Sequence, residues 1–183
     1  MSDPVRRDRM TADQFIAWAI EQPQTEHFEL VAGEVVAMAP ERVGHVRAKQ
    51  RIYTLLSRGA ERLGGHCEVL MDGAVVVVDE ATVYEPDAML RCGPALPDDA
   101  VKITDPMIVV EVISRSLRAL DSGLKFTDYF RIPSLRHYLV VRPEARVLIH
   151  HARGADGSIT SRVLSTGPLV LDPPGIELAT LFD

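Results

Sequence analysis

Cysteine is scarce in this chain, with only Cys67 and Cys92 among 183 residues. They lie far apart and show no paired metal-ligand spacing, which excludes a zinc module. They read as reduced core or surface residues of a cytoplasmic protein. Long apolar runs are missing as well. None approaches the roughly 20 residues of a membrane span, and Met1-Ser-Asp-Pro-Val-Arg-Arg-Asp-Arg9 has no apolar signal core behind its charges. Net positive charge is absent. The formal balance of −6 means that bulk electrostatics do not attract nucleic acid, so any such contact needs a local basic face or metal ions to offset the carboxylates. Repeats, low-complexity tracts and linkers are also lacking, which leaves one domain over 1–183 with 1–10 polar and frayed.

What is present is an ordinary soluble composition, 46% hydrophobic and 25% charged, arranged around one stretch. Pro106-Met-Ile-Val-Val-Glu-Val-Ile113 is a continuous apolar run opened by proline, the pattern of a strand buried on both faces. It carries one acid, Glu111, and a carboxylate there is costly unless a charge or a metal compensates it. A second stretch, Glu85-Pro86-Asp87, opens another apolar run.

Along the chain, Thr11-Ala-Asp-Gln14 is a capping box that starts a helix to about Ile20. Phe28–Val31 and Val35–Met38 flank Ala32-Gly33-Glu34 as a hairpin, with Glu29 inside the first strand. One long helix spans about Arg42 to Leu63. Val43, Val46, Ile52, Leu55, Leu56 and Leu63 form its apolar face, and Arg42, Arg47, Lys49, Arg51, Arg58 and Arg62 the solvated remainder. Gly64-Gly65 ends it. Asp72-Gly73 predicts a hairpin between 67–71 and 74–78. A strand over 86–91, a loop over 93–105 and the central strand over 107–113 follow. Next comes a helix over 116–130 with Leu117, Leu120, Leu124 and Phe130 inward. Strands 136–141 and 146–151 form a hairpin, and 158–164 is a further strand. The order predicts an α+β domain, a mixed sheet with helices packed on it.

Glu29, Asp87 and Glu111, three acids on strands, together with Lys125 on the following helix make a magnesium- or manganese-type constellation. Hard divalent cations take carboxylate and water oxygens, lower the pKa of bound water and neutralise phosphate charge. Simpler readings stand beside this one. Glu111 in a buried salt bridge with an arginine, Asp87 as a turn residue, and Lys125 paired with Asp121 on a solvated face all fit the residues. So do Glu29 as a cross-strand partner of a basic residue and His45 as a surface histidine. His150-His151 is not a metal pair, since neighbours on a strand point to opposite faces.

Pro86-Asp87 followed by Glu111-Val-Ile113 resembles the PD-(D/E)xK nuclease superfamily, within it a branch of small stand-alone bacterial proteins of the restriction-endonuclease kind. Phe28-Glu-Leu-Val-Ala-Gly-Glu34, His45, Glu85-Pro-Asp87, Val110-Glu-Val-Ile-Ser114, Asp121 to Tyr129 around Lys125, and Tyr138-Leu-Val-Val141 followed by Pro143-Glu144 continue the match over about 10–151. The lysine position of (D/E)xK holds Ile113, and the lysine has moved to Lys125. The branch also usually has a proline where Arg115 stands. The resemblance implies a restriction-endonuclease-like core and a DNA endonuclease using Mg²⁺ or Mn²⁺. In it Asp87, Glu111 and the Val112 carbonyl are metal ligands, and Glu29 binds directly or through water. Lys125 acts on the attacking water and Tyr129 supports it. His45 contacts phosphate or a ligand acid. Apart from the resemblance, the basic residues of the helix over 42–62, Arg42 and Arg47 among them, read either as a solvated face or as contacts to the DNA backbone. A homodimer is expected, its twofold interface on 136–151 or 158–164. The alternative is a non-catalytic DNA-binding or assembly module on the same fold.

Overall fold

The computed structural model describes residues 9–23, 25–113, 119–179 and 181–182, with backbone only for 119–122. Helix α1 (Ala12–Ile20) starts on the expected capping box. The Thr11 hydroxyl accepts the Gln14 N–H at 3.3 Å, and the Gln14 side chain accepts the Thr11 N–H at 2.9 Å. Strands β1 (Phe28–Val31) and β2 (Glu34–Ala37) form the expected hairpin. Its turn is Ala32-Gly33, with φ of 49° and 84°, so Glu34 already belongs to the strand. Positive φ at both positions is what a two-residue hairpin turn requires.

Helix α2 (Val43–Arg62) follows, then β3 (Cys67–Leu70), β4 (Val75–Asp79), β5 (Thr82–Tyr84), β6 (Ala88–Cys92), β7 (Lys102–Ile103) and β8 (Ile108–Val112). Helix α3 (Ala119–Tyr129), β9 (His137–Arg142), β10 (Val147–Arg153), β11 (Ile159–Leu164), β12 (Leu169–Leu171) and β13 (Ile176–Leu178) complete the order. Among the described residues, no helix is long and apolar enough to cross a membrane.

Two main sheets result. One has the order β2-β1-β5-β4-β7, the other β11-β10-β9-β8-β6-β3, and β12 pairs with β13. The architecture is α+β, as expected, with β8 buried along its whole length. The strand is parallel to β9 and antiparallel to β6. Alternation along β8 divides its side chains between two cores. Ile108, Val110 and Val112 pack with Ile52, Leu56 and Ala60 of α2 and with the β12–β13 hairpin. Val109 faces Tyr129 of α3 and Tyr84 of the other sheet, and the two-residue period sends Glu111 the same way. A third cluster seats Phe15 of α1 on Leu30 and Val83.

Several local expectations are corrected. Asp72-Gly73 does not join a hairpin. β3 pairs with β6, while β4 pairs with β5 and β7 in the other sheet, so the chain changes sheets at this turn. Cys67 and Cys92 are not reduced. They face each other in the β3–β6 register and form a disulfide; strand pairing across 25 residues brings them together, and no spacing rule could show it. Val43 and Val46 are exposed, at 65% and 49%, while Lys49 is buried at 5%. Leu124 is likewise exposed, and Lys125 and Tyr129 occupy the inner face of α3. The expected helix start at 116, Leu117 and the Ser114-Arg115 pair lie outside the described residues, as do 1–8 and the side chains of Leu120 and Asp121.

Gly59 marks where α2 meets β13. A Cβ there would lie 2.5 Å from Ile176 Cγ2, and Ile176 is itself fully buried. Alanine gains up to about 1 kcal/mol of helix propensity, but overpacking a closed contact costs about 1–3 kcal/mol. Gly59→Ala is therefore expected to lower stability by about 1–2 kcal/mol net in urea denaturation.

Candidate active site

Four elements distant in sequence converge at one end of the β6–β8 pair. Glu29 comes from the middle of β1, Asp87 from the residue before β6, Glu111 from β8, and Lys125 from α3. All four are buried. Lys125 Nζ donates to Glu29 Oε1 at 2.7 Å and to Glu111 Oε1 at 3.1 Å. The Tyr129 hydroxyl, one helical turn along α3, donates to the same Glu111 oxygen at 2.7 Å. Glu29 Oε1 also accepts the Glu85 N–H at 3.1 Å. Asp87 Oδ2 accepts the Val112 N–H, tying the acid before β6 to the residue after Glu111. Among the described residues, Glu111 is thus paired with a lysine and not with an arginine.

His45 and Lys49, one turn apart on α2, reach the other Asp87 oxygen. His45 Nε2 lies 3.4 Å and Lys49 Nζ 3.1 Å from Oδ1. Lys49 also contacts Glu41 at 2.7 Å, and Asp72. Glu85 accepts from the Gly73 N–H and pairs with His27 Nδ1, both at 2.8 Å. A cavity of about 550 Å³ opens over this part of the cluster, lined by His27, Glu41, Lys49, Asp72, Glu85 and Asp87 among others. Among the described residues, Glu41, His45 and Asp87 each offer a ligand atom, all within 4.8 Å of one another.

The charges do not balance. Five carboxylates (Glu29, Glu41, Asp72, Asp87 and Glu111) share two lysine ammoniums, and a sixth, Glu85, pairs with His27. Burial, together with the Asp87 and Glu29 charges, pushes Glu111 up to about 7 against the pull of Lys125 and Tyr129. Lys125 is held above its ordinary value because, despite burial, two carboxylates face it. More negative charge surrounds the pair than one ammonium neutralises, which adds to burial at Glu111 and outweighs it at Lys125. Asp87 is also buried, but the His45 hydrogen bond, the Lys49 charge and the Val112 N–H outweigh that and hold it below the usual carboxylate range. Hard oxygen donors with excess negative charge beside an open cavity are a donor set that fits a divalent cation.

The structure therefore gathers Glu29, Asp87, Glu111, Val112, Lys125, Tyr129 and His45. It does not bring Arg42 or Arg47 there. Arg42 is an exposed partner of Glu144 at 4.0 Å. Arg47 lines an outer groove of about 380 Å³ along α2 with Arg51 and Arg58. Lys49, Glu41, Asp72 and His27 were not among the expected site residues; Lys49 was assigned to the solvated helix face and Asp72 to a hairpin turn. The signal for Lys49 was its spacing of four from His45, which puts the two on one helix face. His150 and His151 do point apart. His150 bonds the buried His137, and His151 stacks on Tyr138.

Comparison with known proteins bears on the family and the fold. A model of the Uma2 family, described as "Putative restriction endonuclease", matches residues 12–181. An uncharacterised protein of Synechocystis sp. (strain PCC 6803), slr1290, is 29% identical over 81% of this chain and 77% of its own length. A second from the same organism, sll1609, is 26% identical over 74% of this chain and 77% of its own. A crystal structure titled as a "putative nuclease belonging to DUF820" from Anabaena variabilis superposes with a TM-score of 0.70. It covers 88% of this chain and 87% of that one at 8% identity, a likeness of fold. The match over 12–181 takes in every residue of the buried carboxylate–lysine cluster, and the chain belongs to the Uma2 family of restriction-endonuclease-like proteins.

Proposed function

We propose that this protein is a divalent-metal-dependent endonuclease that hydrolyses phosphodiester bonds of DNA at the Asp87–Glu111–Lys125 centre. The observation that carries the reading is the pairing of two buried strand acids, Glu29 and Glu111, with the buried Lys125, beside a buried Asp87 that accepts the Val112 N–H next to Glu111, in a member of a family of restriction-endonuclease type. Asp87 and Glu111 would hold Mg²⁺ or Mn²⁺, with Glu29 and the main-chain carbonyl of Val112 completing the set. The ion would neutralise phosphate charge and acidify the attacking water.

The chain's own residues do the rest. Lys125 and Tyr129 both donate to Glu111 Oε1, which orients the carboxylate and leaves Oε2 to the ion. The Lys125 ammonium stands where it can orient water or meet developing negative charge. His45 holds Asp87 from the opposite side. Arg42 and Arg47, with the arginine groove on α2, supply the local positive face that an acidic protein needs against DNA phosphates.

A homodimer completes this reading. Of the two stretches considered, 136–151 is ruled out as a pairing edge, because β9 and β10 each already have neighbours on both sides. β11 is an edge strand of its sheet and is exposed over nearly its whole length, so its backbone donors and acceptors suit a second copy.

The test is nicking of supercoiled plasmid, with an RNA substrate in parallel. Wild-type protein is expected to cut DNA with Mg²⁺ or Mn²⁺ and not in EDTA, and Asp87→Ala and Glu111→Ala are expected to be inactive. Cleavage that persists in both variants sinks the proposal. Salt-sensitive duplex binding without any cutting would assign the chain instead to the DNA-binding or assembly class.

A further inference from the structure

Lys49 occupies an unusual place. It sits on the core-facing side of α2 between His45 and Ile52, buried, where a solvated helix of this basic composition would place an apolar residue. Its ammonium is in ion-pair contact with three carboxylates from separate segments: Glu41 before the helix, Asp72 at the sheet-changing turn, and Asp87 before β6. Burial alone would drive it towards the neutral amine, yet the Asp87 charge and the hydrogen bonds it donates to all three acids keep it charged.

Three carboxylates collected around one point repel each other unless a cation stands between them. Around this point, Glu41, His45 and Asp87 present ligand atoms within 4.8 Å of one another. Oxygen ligands of one octahedral Mg²⁺, each about 2.1 Å from it, are at most about 4.2 Å apart. His45 Nε2 lies 3.6 Å from Glu41 Oε1 and 3.4 Å from Asp87 Oδ1, both inside that limit. These donors come from a helix, the segment before it and a strand entrance, and they border the cavity through Glu41, Lys49, Asp72 and Asp87.

We propose that the Lys49 ammonium is a tethered cation seated in a divalent-ion position built from Glu41, His45, Asp72 and Asp87. Removing its charge turns this half of the cleft into a metal site. The inference shares Asp87 with the function proposed above and needs no catalysis.

The experiment counts Mn²⁺ ions bound per chain, by calorimetry and by electron paramagnetic resonance, in the full-length wild type, Lys49→Met and Lys49→Arg. Methionine keeps the length and loses the charge. Lys49→Met is expected to bind one more Mn²⁺ than wild type, and millimolar Mn²⁺ to raise its Tm more than that of wild type. Lys49→Arg should match wild type. His45→Ala added to Lys49→Met should weaken the extra ion at least about tenfold. Equal stoichiometry in wild type and Lys49→Met overturns the proposal. Wild type that takes up no ion contradicts the metal-dependent function, while the proposal still stands or falls on the difference of one. Should Lys49→Met fold only with Mn²⁺ present, the proposal is supported; failure to fold with and without it overturns the proposal.

Discussion

Lys125→Met is expected to cost about 3–5 kcal/mol of stability, the usual consequence of removing one partner of a buried ion pair. For a chain of this size that is a fall in Tm on the order of 10 °C. The reason lies in what remains. Glu29 and Glu111 both contact the Lys125 ammonium; without it they face each other, buried, with Tyr129 and the Glu85 N–H as the donors still bonded to them. Methionine keeps most of the side-chain volume, so the loss reports charge and not a cavity. Glu111 is already pushed up to about 7, and with Lys125 gone it rises further and binds a proton. The double variant Lys125→Met/Glu111→Gln should therefore recover at least half of the lost stability, because glutamine accepts from Tyr129 without charge. Urea denaturation at pH 7 reads both. If the single variant loses less than 1 kcal/mol, roughly the value of an exposed pair, the cluster is more open to water than described.

Acid should unfold this protein early, and one histidine should carry much of the effect. His137 Nε2 lies 2.8 Å from the Pro173 carbonyl, and its Nδ1 lies 2.9 Å from His150 Nε2. A carbonyl only accepts, so His137 carries its proton on Nε2 and its Nδ1 must accept from His150 Nε2–H. That leaves His150 Nδ1 as a bare lone pair, and it is buried without a hydrogen-bond partner. Any added proton has nowhere favourable to go. Burial first, then the charges of His137, Arg162 and His151, push His150 down to about 4, from about 6.5 in the unfolded chain.

The folded pKa is the lower one, so the unfolded chain binds more protons between these values. Stability is full above about pH 6.5 and falls as pH drops towards 4. At about 1.4 kcal/mol per unit, the loss approaches about 3 kcal/mol by the lower end. His150→Gln keeps a donor for His137 Nδ1 and cannot titrate. Measured by urea denaturation at pH 7 and pH 4.5, wild type should lose about 2–3 kcal/mol more than this variant. Parallel losses in the two proteins would show that the histidine pair is protonated without cost.

Much of this protein could be read from its residues. The capping box at Thr11, the turn at Gly33, the stop at Gly64-Gly65 and the two-sided burial of β8 are all local signals, and each is where the chain led one to expect it. So is the strand alternation that separates His150 from His151. Local pattern also singled out Glu29 and Glu111, because an acid in an apolar strand conflicts with its surroundings in any fold, whereas Asp87 and Lys125 stood out through the resemblance to a nuclease family.

Tertiary structure decided the partners. Asp72-Gly73 has the composition of a hairpin turn, yet Lys49 holds its carboxylate and Glu85 its amide, and the strands on either side join different sheets. Cys67 and Cys92 are joined by strand register, and Lys49 is drawn inward by acids from three other segments. Propensity and periodicity act over a few residues, whereas charge pairing acts through space. A sequence can therefore show which side chains need compensation, while only the packed sheets decide which neighbour supplies it.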